Sequence, residues 1–86
     1  MPSPHEDELL NLIAKEARRD RATLNRDATL KTLDIDSIDI VSVVFAIEDS
    51  YGITVGETEV TMNQTLGQVL DLAEAKIAQR QSAPAP

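Results

Sequence analysis

The chain has 86 residues, no cysteine, one histidine, two other aromatic residues (Phe45 and Tyr51) and a net charge of −7. That length holds one small domain, without room for a deep active site plus a cofactor domain. Disulfides, a thiolate nucleophile and Cys-based metal sites are excluded. The acidic balance argues against nucleic acid and anionic membrane surfaces, which are bound through Lys and Arg.

Residues 1–4 are expected to be disordered. The acidic stretch Met1 to Glu8 lacks the basic and apolar regions of a signal peptide. No apolar run approaches membrane-spanning length. These features predict a cytoplasmic protein with no membrane insertion. Leu9, Leu10, Ile13, Ala14 and Ala17 recur at helical spacing, with acids Glu6, Asp7 and Glu8 in the first turn. They predict a first helix over about 4–18. Residues 20–35 lack sustained periodicity, and Leu24, Leu30, Leu33 and Ile35 are expected to peg this long loop to the core.

A second helix is predicted from Ser37 to Tyr51, capped by Asp36 or Ser37 and stopped at Gly52. The β-branched run Ile40–Val44 would suit a strand. The helical face continued by Val41, Val44, Ala46, Ile47 and Tyr51, with Gly52 after it, favours a helix. Val41, Val44 and Ile47 are expected on its inner face. Ile53–Val55 reads as an extended link and residues 56–61 as one short helical turn. Thr65 with Gln68 is a capping-box signal. Leu66, Val69, Leu70, Ala73 and Ile77 then predict a last helix over about 65–79. Residues 80–86 are expected to form a disordered tail. The predicted fold is all-α: a small four-helix bundle of three main helices and one short helix, with a long first loop, over residues 5–79.

Function centres on Asp36-Ser37-Ile38-Asp39. It sets a hydroxyl at a helix start, with a carboxylate one residue before it and another two residues after. From Thr32 to Ala75 there are nine acids and no Lys or Arg. A serine in that setting is well placed to be modified by a basic partner and poorly placed to act alone as a nucleophile. His5, the one histidine, is expected to be a solvated residue at a frayed end, which leaves a Ser-His-Asp triad without support. Asp34-x-Asp36 hints at a calcium loop, but Ile38, Asp39 and Phe45 occupy ligand and glycine positions of that loop. No metal site and no Gly-rich phosphate loop is expected.

The element order, with Thr29-Leu30-Lys31-Thr32-Leu33, Ile35-Asp36-Ser37-Ile38-Asp39 and Phe45-Ala46-Ile47-Glu48-Asp49-Ser50-Tyr51-Gly52-Ile53, resembles the acyl carrier protein family over about residues 5–79. The resemblance implies that Ser37 receives 4'-phosphopantetheine from coenzyme A, transferred by a Mg-dependent phosphopantetheinyl transferase. The terminal thiol of that arm would carry acyl groups as thioesters, so a chain without cysteine would borrow its thiol. Asp36 is either a helix cap or part of the transferase and metal contact, and the two roles are compatible. Asp39, Glu48 and Asp49 read as a solvated face or as a docking surface. The lack of compensating cations favours docking to the basic patches of acyl-chain synthesising and transferring enzymes, aided by exposed apolar residues such as Ile38 and Phe45. Phe45 could instead be core, but Val41, Val44 and Ile47 already fill the inner face, which favours exposure. Glu48 and Asp49 are expected to be exposed.

Some residues depart from the family pattern. Asp34 stands where glycine is common, although Asp tolerates positive φ. Ser42, Thr58 and Thr61 thin the acids, and Asn63 stands where an apolar residue often lines the acyl pocket, a role that adjacent Met62 would take. The resulting expectation is a free-standing, monomeric, non-enzymatic carrier for fatty-acid or lipid biosynthetic enzymes. The alternatives are a specialised carrier, for polyketide or non-ribosomal peptide synthesis or for unusual very-long-chain acyl groups, and an acidic helical adaptor with no prosthetic group.

Overall fold

The computed structural model describes residues 4–56 and 59–82. Three helices dominate it: α1 (Glu6–Ala17), α2 (Ser37–Tyr51) and α3 (Leu66–Ser82), with a 3₁₀ turn at Arg21–Thr23. The all-α expectation holds, and no strand is present among the described residues. The expected short helix over 56–61 includes residues 57 and 58, which lie outside the described residues.

Helix α1 buries Leu9, Leu10, Ile13 and Ala17 and packs against α2. It ends at Arg18, which adopts left-handed φ of 57°. The Arg19 N–H turns back to the Ala14 carbonyl at 2.9 Å, which satisfies a carbonyl that the helix end would leave open.

The long loop is held by backbone pairing. Leu30 and Lys31 donate to the Gln64 and Met62 carbonyls, and Leu66 and Gly67 donate back to Ala28 and Arg26. These four bonds tie the loop to the start of α3. Leu30 and Ile35 are buried, and Leu24 and Leu33 pack partly against the core, so all four expected pegs are in place. The 3₁₀ turn inside the loop was not expected; the Asp20 carboxylate caps it by accepting the Ala22 N–H at 3.0 Å.

Helix α2 has the predicted bounds. Gly52 closes it at φ 64°, donating to the Glu48 carbonyl at 2.8 Å, a conformation glycine adopts without steric cost. The inward face differs from the sequence reading. Ile40, Val43, Val44 and Ile47 are buried, while Val41 is 45% exposed. With apolar residues at almost every position from 38 to 47, periodicity had little contrast to report. The link after α2 buries Ile53 and Val55.

Helix α3 starts with the predicted reciprocal cap. The Thr65 N–H donates to Gln68 Oε1 at 2.8 Å, and the Gln68 N–H donates to Thr65 Oγ1 at 3.1 Å. Leu66, Val69, Leu70, Ala73 and Ile77 are all buried, as their spacing requires. The helix continues to Ser82, past the end predicted near residue 79. Nothing between Gln79 and Ser82 breaks a helix, whereas Pro84 disfavours it from the residue before. Residues 1–3 and 83–86, expected to be disordered, lie outside the described residues.

Candidate functional site

The path into the site is a tight turn. Leu33, Asp34 and Ile35 donate backbone bonds to Thr29, Lys31 and Leu30, at 2.9–3.0 Å. Asp34 sits in the left-handed region at φ 60°, where a non-glycine residue typically costs about 1–2 kcal/mol and Asp less than most. The turn thus survives the replacement of glycine that the sequence raised. Arg19 spans it, donating to the Leu33 carbonyl at 3.2 Å and the Asp34 carbonyl at 2.7 Å. Ile35, only 2% exposed, then anchors the chain in the core immediately before the site.

Asp36 is the cap of α2. Its backbone is extended, and its carboxylate accepts the Asp39 N–H at 2.9 Å. That resolves the choice between Asp36 and Ser37. Ser37 is exposed, and its hydroxyl has no hydrogen-bond partner among the described residues. Among the described residues no base is hydrogen-bonded to it: the Asp36 carboxylate is turned to the Asp39 N–H, and the chain's one histidine is engaged with Glu74. The hydroxyl is therefore free to be esterified from outside and is not activated from within. A phosphodiester there would meet the open N–H groups and positive dipole end of α2, which suits an anion. The residues present fit the attachment of a phosphate-linked group.

The remaining predicted residues form one side of α2. Ile38 is 75% exposed and Phe45 63% exposed, which agrees with the exposure expected of both. Val41 lies with them, so Ile38, Val41 and Phe45 form an i, i+3, i+7 stripe. Asp49 is exposed and Asp39 half-buried. Glu48 corrects the expectation of exposure. It is half-buried, and its carboxylate accepts the Val55 N–H at 2.8 Å. It pins the link after α2 in addition to contributing charge.

Beside that stripe lies an open groove of about 170 Å³, lined by Ile40, Val41, Val44, Phe45, Glu48 and Val55. The space inside the bundle between Ile13, Leu30, Ile40 and Val69 is only about 10 Å³. That is close to a single water, too small a space for an acyl chain. Met62, at 36% exposure, and Asn63, exposed, are on the surface. Downstream, the Glu59 carboxylate accepts the Gly56 N–H at 2.6 Å and pairs with Lys76 at 3.2 Å. These contacts hold Glu59 below the usual carboxylate range, the Gly56 bond contributing most.

His5 departs from its expected role. It is half-buried; its backbone N–H and ring Nδ1 each lie 2.7 Å from Glu74, and its ring meets Tyr51 edge-on at 5.5 Å. It ties the start of α1 to α3, away from Ser37. Sequence reasoning also missed Arg19 and the Glu48–Val55 bond. Each joins residues distant in sequence to a backbone group, and no local pattern announces such a contact. Among the described residues, no group of His, Asp and Glu is arranged to hold a metal, and no helix is long and apolar enough to cross a membrane.

Known proteins match this sequence. The family model described as a phosphopantetheine attachment site matches residues 7–73. An acyl carrier protein of Rickettsia typhi is 31% identical over 66 residues, covering 76% of this chain and 77% of its own length. One from Rickettsia canadensis is 30% identical over 78 residues, covering 90% and 86%. The acyl carrier protein AcpXL of Rhizobium etli is 34% identical over 64 residues, covering 73% and 70%. No solved structure gives a significant match. On the breadth of these matches, the chain belongs to the acyl carrier protein family, whose members bear covalently attached 4'-phosphopantetheine.

Proposed function

We propose that Ser37 is the attachment residue and that the protein presents acyl groups to enzymes of fatty-acid or lipid biosynthesis. The observation that carries the assignment is the division of roles at the start of α2: Asp36 caps the helix, and the Ser37 hydroxyl is exposed and uncommitted. In the loading step, Ser37 Oγ attacks the β-phosphorus of coenzyme A. A P–O bond to Ser37 forms, the pyrophosphate P–O bond breaks, and adenosine 3',5'-bisphosphate departs. The transferase takes the serine proton and supplies the metal, with Asp36 offering a carboxylate beside the reacting hydroxyl. Once attached, the arm supplies the thiol that holds the acyl group as a thioester.

The partner face is Ile38, Asp39, Phe45 and Asp49, with part of Glu48. Exposed apolar side chains set among carboxylates suit enzymes that carry Arg and Lys around an apolar dimple. The carrier contributes no catalysis in this reading. A second reading, a carrier dedicated to an unusual acyl group, is favoured by half-buried Ser42 on α2 and exposed Asn63, and by the similarity to a relative with its own designation, AcpXL. Intact mass of the protein purified from its own host distinguishes these readings, because it reports the arm and its acyl load together. An ordinary fatty acyl load supports the first reading. An amino-acyl, polyketide or very-long-chain load supports the second, and an unmodified chain contradicts both.

A further inference from the structure

We propose that Arg19 is a positioning residue for the modification of Ser37: it holds the left-handed turn at Asp34 and thereby sets how the chain enters Asp36–Ser37. The proposal rests on the assignment of the arm to Ser37. At φ 60°, Asp34 adopts a conformation natural to glycine and strained for a residue with a Cβ. Arg19 is the only described side chain that donates to both carbonyls of this turn, through Nε to Leu33 at 3.2 Å and Nη2 to Asp34 at 2.7 Å.

The grip is on the backbone. Nη2 also lies 3.3 Å from the Asp34 carboxylate, but that side chain is 96% exposed, and an ion pair so solvated is weak. The base of the clamp is itself fixed, since the Arg19 N–H is bonded to Ala14 behind the left-handed Arg18. The planar guanidinium therefore reaches from the end of α1 to two successive carbonyls. The chain continues through buried Ile35 to the Asp36 cap and Ser37. Where a glycine would hold this turn unaided, this protein uses an aspartate and an arginine together.

The test compares the wild type with Arg19→Ala, Arg19→Lys, Arg19→Ala/Asp34→Gly and Arg19→Ala/Asp34→Ala. Initial rates of loading are measured with coenzyme A, Mg²⁺ and a phosphopantetheinyl transferase, at a temperature where circular dichroism shows every variant folded. Arg19→Ala is expected to lower kcat/KM about tenfold, with a loss in kcat as well as a rise in KM, because a displaced nucleophile is slow even when bound. Arg19→Lys restores part of the rate, since a point charge does not span two carbonyls. Asp34→Gly in the Arg19→Ala background restores most of it. Asp34→Ala removes the same charge without the freedom of glycine and restores little. Backbone amide shifts of Ile35 to Ser37 in the unloaded proteins should move and recover in the same order. A wild-type rate in folded Arg19→Ala, or equal rescue by Asp34→Ala and Asp34→Gly, overturns the proposal while leaving the Ser37 assignment intact. Failure of the wild type to load at all overturns the Ser37 assignment, and the proposal falls with it.

Discussion

The Asp36 carboxylate accepts the Asp39 N–H at 2.9 Å, and the serine between them is relieved of any part in capping α2. Chemistry and stability are thereby separated on adjacent residues. Ser37→Ala should abolish loading with a nearly unchanged melting temperature. Asp36→Ala should lose about 1 kcal/mol of stability, lowering the melting temperature by roughly 4–8 °C. Thermal melts of both variants check this. A larger loss in Ser37→Ala than in Asp36→Ala would reverse the assignment of the cap.

Glu48 and Asp49 should behave differently although they are adjacent acids on α2. Glu48→Ala strips the acceptor from the Val55 N–H, whose residue is only 7% exposed, at a cost of about 1 kcal/mol. Glu48→Gln keeps an acceptor oxygen and should keep most of the stability. Asp49→Asn should leave stability unchanged. Either charge-removing amide variant should weaken binding to the transferase and flatten its salt dependence. Affinity and salt slope equal to wild type in both would show that this face is only solvated.

Tyr51 provides a pH signature. Burial, then the hydrogen bond it donates to Glu8, and then the charges of Glu8 and Glu74 push its phenol up to about 12. The unfolded chain ionises at about 10. The neutral form is favoured by the fold, so this contribution is complete below the unfolded value and is lost as pH rises toward 12. Denaturant unfolding of wild type and Tyr51→Phe across that window should show a steeper decline in the wild type. Parallel curves would contradict the shift. Absorbance of the single tyrosinate gives an independent reading.

Much of this fold is legible in the sequence where structure is local. The bounds of α2 follow from Asp36 and Gly52, and the start of α3 from Thr65 and Gln68, because each cap is made within a few residues. The exposed place of Ser37 at a helix start is legible from its setting just after the capping Asp36. The inward face of α2 is less so, since Ile40 and Val41 are equally apolar and only packing tells them apart. Glu48 on Val55, His5 on Glu74 and Arg19 on the Leu33–Asp34 carbonyls are hidden for another reason. The loops that bring them together are set by the tertiary fold.

Charge balance should limit stability. Seven acids lie from Asp34 to Glu59 with no base among them. Among the described residues of this stretch, two have cationic partners from elsewhere, Asp34 with Arg19 and Glu59 with Lys76. The others repel in a domain with little reserve. Added salt or millimolar Mg²⁺ or Ca²⁺ should raise the melting temperature, with the two cations acting alike. Indifference to both, or a marked preference for one cation, would show that this picture of diffuse repulsion is wrong.

The central claim is that one exposed serine carries the arm. Purified protein treated with coenzyme A, Mg²⁺ and a phosphopantetheinyl transferase should gain the mass of a single phosphopantetheinyl group, and fragmentation should place it on Ser37. Ser37→Ala, folded by circular dichroism, should gain none. A loaded Ser37→Ala protein, or a fragment map that places the group elsewhere, would contradict the account.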